Sequence, residues 1–355
     1  RHRGEATIGH PLISGVGAHG YHRCMRDLTS LPKAELHIHL EGAMRVATIR
    51  ELTLARGLAT PPGLTPDGWR FRDFLDFIGN YMALCSVMTD VEDFRRLGIE
   101  VCQDLADTGV HYAEAVFSPS NHAGRHGWFA PIEALLDGLQ TGERVSGVTV
   151  KLAPDIVRDL GMDAAEHTLE VALKYAGDGV IALGCAGSER TGIEPFAPLF
   201  RRAKDAGLRS VPHAGEWAGP ENVWDTLANY LPDRIGHGVR ASEDPRLVET
   251  LAESGIALEQ CPTSNVATGV YTSLDEHPFD ALRRAGVTVT LNSDDPPMFG
   301  DLWLTGVYEA ARERWGYADE ELAGLARASI DASFADDRRK QHLRAGIDAW
   351  LVAGA

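Results

Sequence analysis

Two histidines one residue apart are the first sign of chemistry in this chain. In Leu36-His37-Ile38-His39-Leu40 an extended backbone puts His37 and His39 on one face and Ile38 on the other, because strand side chains alternate with period two. Two imidazoles on one face can chelate a metal, although alone they equally suit a hydrogen-bonded pair. Further polar residues fall in Pro212-His213-Ala214-Gly215-Glu216, in Arg234-Ile235-Gly236-His237-Gly238 and in Leu291-Asn292-Ser293-Asp294-Asp295-Pro296-Pro297. Three histidines (His37, His39, His213) and one carboxylate (Asp294), with room for water, suit a single Zn2+ best; Fe2+, Mn2+ and Co2+ are the other choices. Such a metal lowers the pKa of a water towards about 7, so the predicted chemistry is hydrolytic.

The remaining polar groups take roles around that centre. Glu216 stands three residues past His213, where a carboxyl can sit beside a metal without ligating it and act as general acid. Its competing reading is a carboxylate near a helix N-terminus, since Pro220 begins a helix soon after. His237, flanked by glycines that allow close approach, reads as the group that orients an attacking water, with a structural histidine as the alternative. Of the adjacent Asp294 and Asp295, one can ligate while its neighbour, once the chain turns, accepts a hydrogen bond from the water; an Asp-Pro turn competes with this. Gly187, in Ala186-Gly187-Ser188-Glu189, offers a backbone N–H to a ligand or is a plain turn glycine.

These residues need a scaffold that brings distant segments together. Eight apolar or alternating stretches read as strands: Ala34–Leu40, Tyr112–Ser118, Val148–Asp155, Val180–Cys185, Ser210–Glu216, Arg234–Gly238, Ile256–Cys261 and Val287–Asp294. Helical periodicity lies between most of them, as in Ala164–Tyr175, Pro195–Ala206, Pro220–Tyr230 and Asp244–Glu253. Alternating strands and helices make a parallel α/β fold, and eight strands close a (β/α)8 TIM barrel. An open doubly wound sheet is the alternative, but no GxGxxG follows the first strand. In a barrel the C-terminal strand ends share one face, so the polar residues converge.

A helical insertion after the first strand, with signals at Val46–Arg56 and Phe71–Met88, is broken by Pro61–Gly63 and Pro66–Gly68 and is expected over the barrel mouth. Phe74, Phe77, Ile78 and Tyr81 read as its own packing core, with a pocket wall as the alternative. C-terminal helices are expected at Asp301–Trp315, Ala318–Ile330 and Arg339–Leu351. Residues 1–30 read as a loosely structured arm without the apolar run of a secretory leader, and residues 31–355 as one domain.

Composition narrows the partners. Lys and Arg number 34 against 51 Asp and Glu, a formal charge of −17, so polyanions such as nucleic acids are disfavoured and a small substrate is expected. There is no uncharged apolar run long enough for a membrane span. Cys24, Cys85, Cys102, Cys185 and Cys261 form no CxxC pair; a disulfide framework and a cysteine zinc site are not indicated, and a cytoplasmic location is expected. Oligomeric state is not legible.

Five stretches, in order, resemble the adenosine deaminase family. They are Pro32-Lys33-Ala34-Glu35-Leu36-His37-Ile38-His39-Leu40-Glu41-Gly42, His213-Ala214-Gly215-Glu216, Arg234-Ile235-Gly236-His237-Gly238, Cys261-Pro262-Thr263-Ser264-Asn265 and Asn292-Ser293-Asp294-Asp295-Pro296. The H-x-E and P-C-x-x-C signature of nucleic-acid-editing deaminases, a different fold, is absent. The resemblance implies one zinc on His37, His39, His213 and Asp294, with Glu216 as proton donor to purine N1. It further implies that His237 and Asp295 activate and orient the water, which attacks C6 and expels ammonia. Substrate contacts would come from His39, Glu41, Asp295 and the backbone N–H of Gly187, the last to purine N3.

The markers of substrate conflict. Glu41 stands where nucleoside deaminases usually carry Asp and looks like the free-base adenine enzymes, whereas Arg234–Gly238 and Ala186–Glu189 look like the nucleoside enzymes. A 6-aminopurine nucleoside of the adenosine type is the first expectation, with adenine or 6-aminodeoxyfutalosine as alternatives. An amide- or phosphoester-opening hydrolase on the same barrel is a further reading. Strand four offers no Lys or carboxylate to bridge a second metal, which favours one metal. A catalytically inactive binding homologue is opposed by the presence of every matching catalytic residue.

Overall fold

The computed structural model describes residues 25–353. Its eight main strands are β1 (Lys33–His39), β2 (Val110–Phe117), β3 (Thr149–Val157), β4 (Ala182–Ala186), β5 (Arg209–Ala214), β6 (Arg234–His237), β7 (Ala257–Gln260) and β8 (Val289–Leu291). Each pairs in parallel with the next. The ring closes between first and last: His39 N–H donates to the Asp294 carbonyl at 2.9 Å, and Asp294 N–H donates to the His37 carbonyl at 3.0 Å. The expected (β/α)8 barrel is the fold. All seven residues of β1 are buried, as a parallel strand covered on both faces requires.

All eight strands differ from expectation by one to three residues at one or both ends, and three of them bear on the site. β5 stops at Ala214 because Gly215 turns with φ +68, which places Glu216 in a loop. β8 is shorter than Val287–Asp294 at both ends; beyond Leu291 the Asn292 N–H still donates to the Gln260 carbonyl at 2.9 Å, and Asp294, at φ +66, makes a single bridge to Ile38. β4 begins at Ala182, while Val180 only bridges to Leu152 and Ala176.

The insertion holds α1 (Val46–Arg56) and α2 (Phe74–Cys85), separated by a small hairpin of Leu64–Thr65 and Gly68–Trp69. The single stretch expected over Phe71–Met88 therefore starts later, where the Asp73 side chain accepts the Asp76 N–H at 2.9 Å and caps α2. Two long helices that the sequence reading leaves unassigned, α3 (Val91–Asp107) and α4 (Ala130–Ser146), pack closely against each other. Glycine permits that approach: a Cβ on Gly98 would lie 2.8 Å from the Leu139 nitrogen.

The C-terminal helices Leu304–Trp315, Asp319–Ala332 and Asp337–Val352 follow the barrel, and the second of these packs on β1 and β8. Residues 1–24 of the expected arm lie outside the described residues. Residues 25–30 are docked: Leu28 is buried, Arg26 pairs with Asp319 at 3.4 Å, and Trp350 Nε1–H donates to the Asp27 carbonyl at 3.0 Å. Among the described residues no helix is long and apolar enough to cross a membrane.

Candidate active site

The ends of β1, β5 and β6 and the seam after β8 bring the predicted residues into one buried volume. His39 Nε2 lies 3.1 Å from His213 Nε2. Asp294 Oδ1 lies 3.4 Å from His39 Nε2 and 3.7 Å from His37 Nε2. The outward-facing nitrogens already have partners. His213 Nδ1–H donates to the Cys185 carbonyl at 3.0 Å, and His37 Nδ1–H donates to Glu259 Oε2 at 2.8 Å. In its neutral form each of these rings turns an Nε2 lone pair inward; burial alone would lower the His37 pKa, but Glu259 and Asp294 outweigh it and raise it. His37 Nε2 is buried with no hydrogen-bond partner. Burial first, then the neighbouring His37 and His39, push the His213 imidazolium well below its ordinary range, so the ring is neutral. Unprotonated ring nitrogens crowded beside a carboxylate oxygen form a donor set that a divalent cation satisfies.

Around this set stand the proposed chemical groups. Burial, then Asp294 and Glu189, push the Glu216 carboxyl well above its ordinary range, which favours its acid form. Its Oε2 lies 3.8 Å from His237 Nε2. Burial, then His37, lowers the His237 pKa to about 3, so this ring is neutral as well. Asp295 is raised well above the ordinary range by burial and by Asp294, and its Oδ1 is buried without a partner. Asp294 has the opposite fate. Burial alone would raise it, but His237, His39 and His37 outweigh that and hold it low. The adjacent carboxyls are thus pushed in opposite directions, Asp294 towards the carboxylate and Asp295 towards the acid.

Glu41 is fully buried just beyond β1. Its Oε1 accepts from Ser118 N–H at 3.1 Å and faces His122 Nε2 at 3.3 Å, while Oε2 has no partner. Gly187 follows β4 with φ +89, and the next residue's N–H donates to Asp159 Oδ2 at 2.7 Å. The aromatic cluster of α2 is not simply a helix core. Tyr81 sets its ring edge towards His39, with centroids 6.3 Å apart, and Phe74 packs on Trp217 at 4.5 Å. Helix α2 therefore reaches across the mouth to the loop that carries Glu216.

Several supporting residues escaped the sequence reading. Glu259 orients His37 and is itself gripped by Arg234 Nε at 2.6 Å; Arg234 also pairs with Glu114 and donates to the Ala332 carbonyl at 2.9 Å. Burial alone would raise the Glu259 carboxyl, but Arg234 and His37 outweigh it and keep it ionised. Ser264 Oγ–H donates to Asp294 Oδ2 at 2.6 Å. Cys261, against expectation, lies among metal-competent groups with His37, His237 and Asp294. The available signal was a charged residue inside the otherwise buried strand Ala257–Gln260. Glu259→Gln is expected to weaken metal binding about 10–100-fold, read by competition with a chromophoric chelator. Unchanged affinity would remove Glu259 from the orientation of His37.

A (β/α)8 barrel with this polar cluster at its strand ends defines a metal-dependent aminohydrolase. The adenosine deaminase family model matches residues 32–350, and the chain belongs to that family. An aminodeoxyfutalosine deaminase of Streptomyces avermitilis is 40% identical over 339 residues, covering 92% of this chain and 94% of the relative. An adenine deaminase of Mesorhizobium japonicum is 36% identical over 321 residues, covering 89% and 98%. Among solved structures, a Burkholderia ambifaria amidohydrolase with bound Zn superposes with a TM-score of 0.83 at 26% identity, covering 96% of this chain and 94% of that one. These relatives support deamination of adenine- or adenosine-like substrates.

Proposed function

We propose that this chain hydrolyses the 6-amino group of an adenosine-type purine nucleoside, giving the 6-oxo product and ammonia. The observation that carries the reading is the placement of Glu216: a buried carboxyl 3.8 Å from His237 Nε2, beside the cluster of His37, His39, His213 and Asp294. His37, His39, His213 and Asp294 would hold the metal, for which Zn2+ fits best; a Zn-bound relative supports that choice. When bound, the metal supplies a water activated for attack at neutral pH. Glu216 donates its proton to ring N1 as C6 gains the oxygen. That lets the ring accept the electron pair before the C6–N bond breaks. His237 directs a ring N–H at the developing charge, and Asp295 orients the water. The first water proton passes to the Glu216 carboxylate and restores the acid, and the second leaves with the amine as ammonia. His39, Gly187 and Asp295 border the substrate, and Glu41 Oε2 is the free acceptor for a sugar hydroxyl.

Two alternatives have specific support. The 40% identity to an aminodeoxyfutalosine deaminase favours an extended nucleoside, and Glu41 together with the Mesorhizobium relative favours the free base. Ammonia release from adenosine, 2′-deoxyadenosine, adenine, S-adenosylhomocysteine and 6-aminodeoxyfutalosine separates them. A hydrogen bond to charged Glu41 contributes about 1.5–3 kcal/mol, so nucleosides are expected to exceed adenine in kcat/KM by about tenfold or more. Adenine as the best substrate would overturn the sugar-side reading. Turnover confined to 6-aminodeoxyfutalosine would shift the assignment to that nucleoside.

A further inference from the structure

A hydrogen-bond chain enters the site from outside and begins at a backbone amide. The Phe279 N–H can only donate, and it points at His277 Nδ1 at 3.2 Å. A neutral imidazole has one donor and one acceptor nitrogen, so His277 Nε2 carries the hydrogen. That hydrogen is directed at Asn265 Oδ1, 3.1 Å away. The Asn265 amide is thereby oriented, and its Nδ2 hydrogens point at His237 Nδ1 at 3.3 Å and Glu216 Oε1 at 3.4 Å. Both atoms are acceptors in this arrangement. A neutral His237 must then carry its hydrogen on Nε2, and the acid proton assigned above to Glu216 falls on Oε2, the two atoms that face each other across the site at 3.8 Å.

We propose that Asn265 and His277 are positioning residues that fix these two proton addresses, His237 Nε2–H and Glu216 Oε2–H. Without His277 the Asn265 amide is free to rotate by half a turn. Its oxygen would then face His237 and draw the hydrogen to Nδ1. Burial keeps His277 neutral, with its pKa lowered to about 3, so the chain does not change direction near neutral pH. Tyr271, whose ring centre lies 5.1 Å from that of His277, helps to hold the ring. Any effect on turnover, and the Glu216 address, rest on the roles given above to Glu216 and His237; the His237 address does not.

The test is a nitrogen-15 imidazole spectrum of the metal-loaded enzyme, paired with steady-state kinetics. The wild-type His237 is expected as the Nε2–H tautomer. His277→Gln can accept from Phe279 and donate to Asn265, so it should keep that tautomer and most of the turnover. His277→Phe should mix the tautomers and lower kcat about 10²-fold with little change in KM, the cost of misdirected groups at an otherwise intact site. Asn265→Asp, which offers only acceptors, should invert His237 to Nδ1–H and does not depend on His277→Phe folding. An Nδ1–H tautomer in the wild type, or an unchanged tautomer in Asn265→Asp, would overturn the proposal. Tautomers that change as expected while kcat stays at the wild-type level would uphold the relay and overturn the catalytic role of His237.

Discussion

Replacing Glu216 with glutamine is expected to lower kcat about 10³-fold while the metal stays bound, within the range that positioned acid–base groups contribute. The amide keeps the size of the side chain and can still accept from Asn265, 3.4 Å from Oε1 in the native chain. It cannot release a proton to ring N1. Because Glu216 lies outside the His37, His39, His213 and Asp294 set, metal content should be unaltered. The sign of the pH effect follows from the raised carboxyl: the acid form is the active one, kept to higher pH than in an ordinary carboxyl and lost as pH rises through the elevated pKa. The native enzyme should therefore lose kcat on the alkaline side, and Glu216→Gln should lack that limb. Ammonia release across pH, with metal analysis of the same samples, checks both points. Near-native turnover in the variant would remove Glu216 from the acid role.

Stripping the metal is expected to be at least as damaging, lowering turnover about 10³-fold or more. The water pKa would return from about 7 towards about 15.7. A loss of about 4 kcal/mol in transition-state stabilisation corresponds to that factor. The structure adds a second cost, since the Nε2 atoms of His39 and His213, 3.1 Å apart, would be left facing each other with no cation between them. Dialysis against a chelator followed by Zn2+ titration measures the effect. Activity should return in proportion up to one equivalent per chain. A break point at two equivalents would overturn the single-metal reading, and full activity in metal-free protein would overturn the hydrolytic scheme.

The residues that meet at the cluster were legible because chemistry and periodicity coincide in them. His37 and His39 share a strand face by simple alternation, and His213, His237 and Asp294 fall at or just beyond strand ends that a parallel barrel must gather. The supporting residues were hidden for a different reason. Glu259 reads as one charge in a short strand until Arg234 is seen 2.6 Å away, and His277 reads as a loop histidine until Asn265 is placed beside it. Such partners depend on register and rotamer, which spacing does not encode. β8 was overextended because neither its stop at Leu291 nor the left-handed conformation at Asp294 has a sequence mark. Phe74 and Tyr81 were read as helix core because amphipathic spacing cannot say which neighbour a helix face meets.

The closure of the barrel through Asp294 ties folding to cargo. The seam joins segments from opposite ends of the chain, with Ile38 bridged to Asp294, so it carries the largest loop-closure entropy in the sheet. The same residue supplies the backbone bonds of the seam and the carboxylate of the cluster. A cation held there pins the first and last strands together and acts as a rivet on the slowest contact to form. A ligand that binds only the folded state at a thousandfold excess over its Kd adds about 4 kcal/mol to stability. Metal supply would then govern how long the ring stays shut as well as how fast it works.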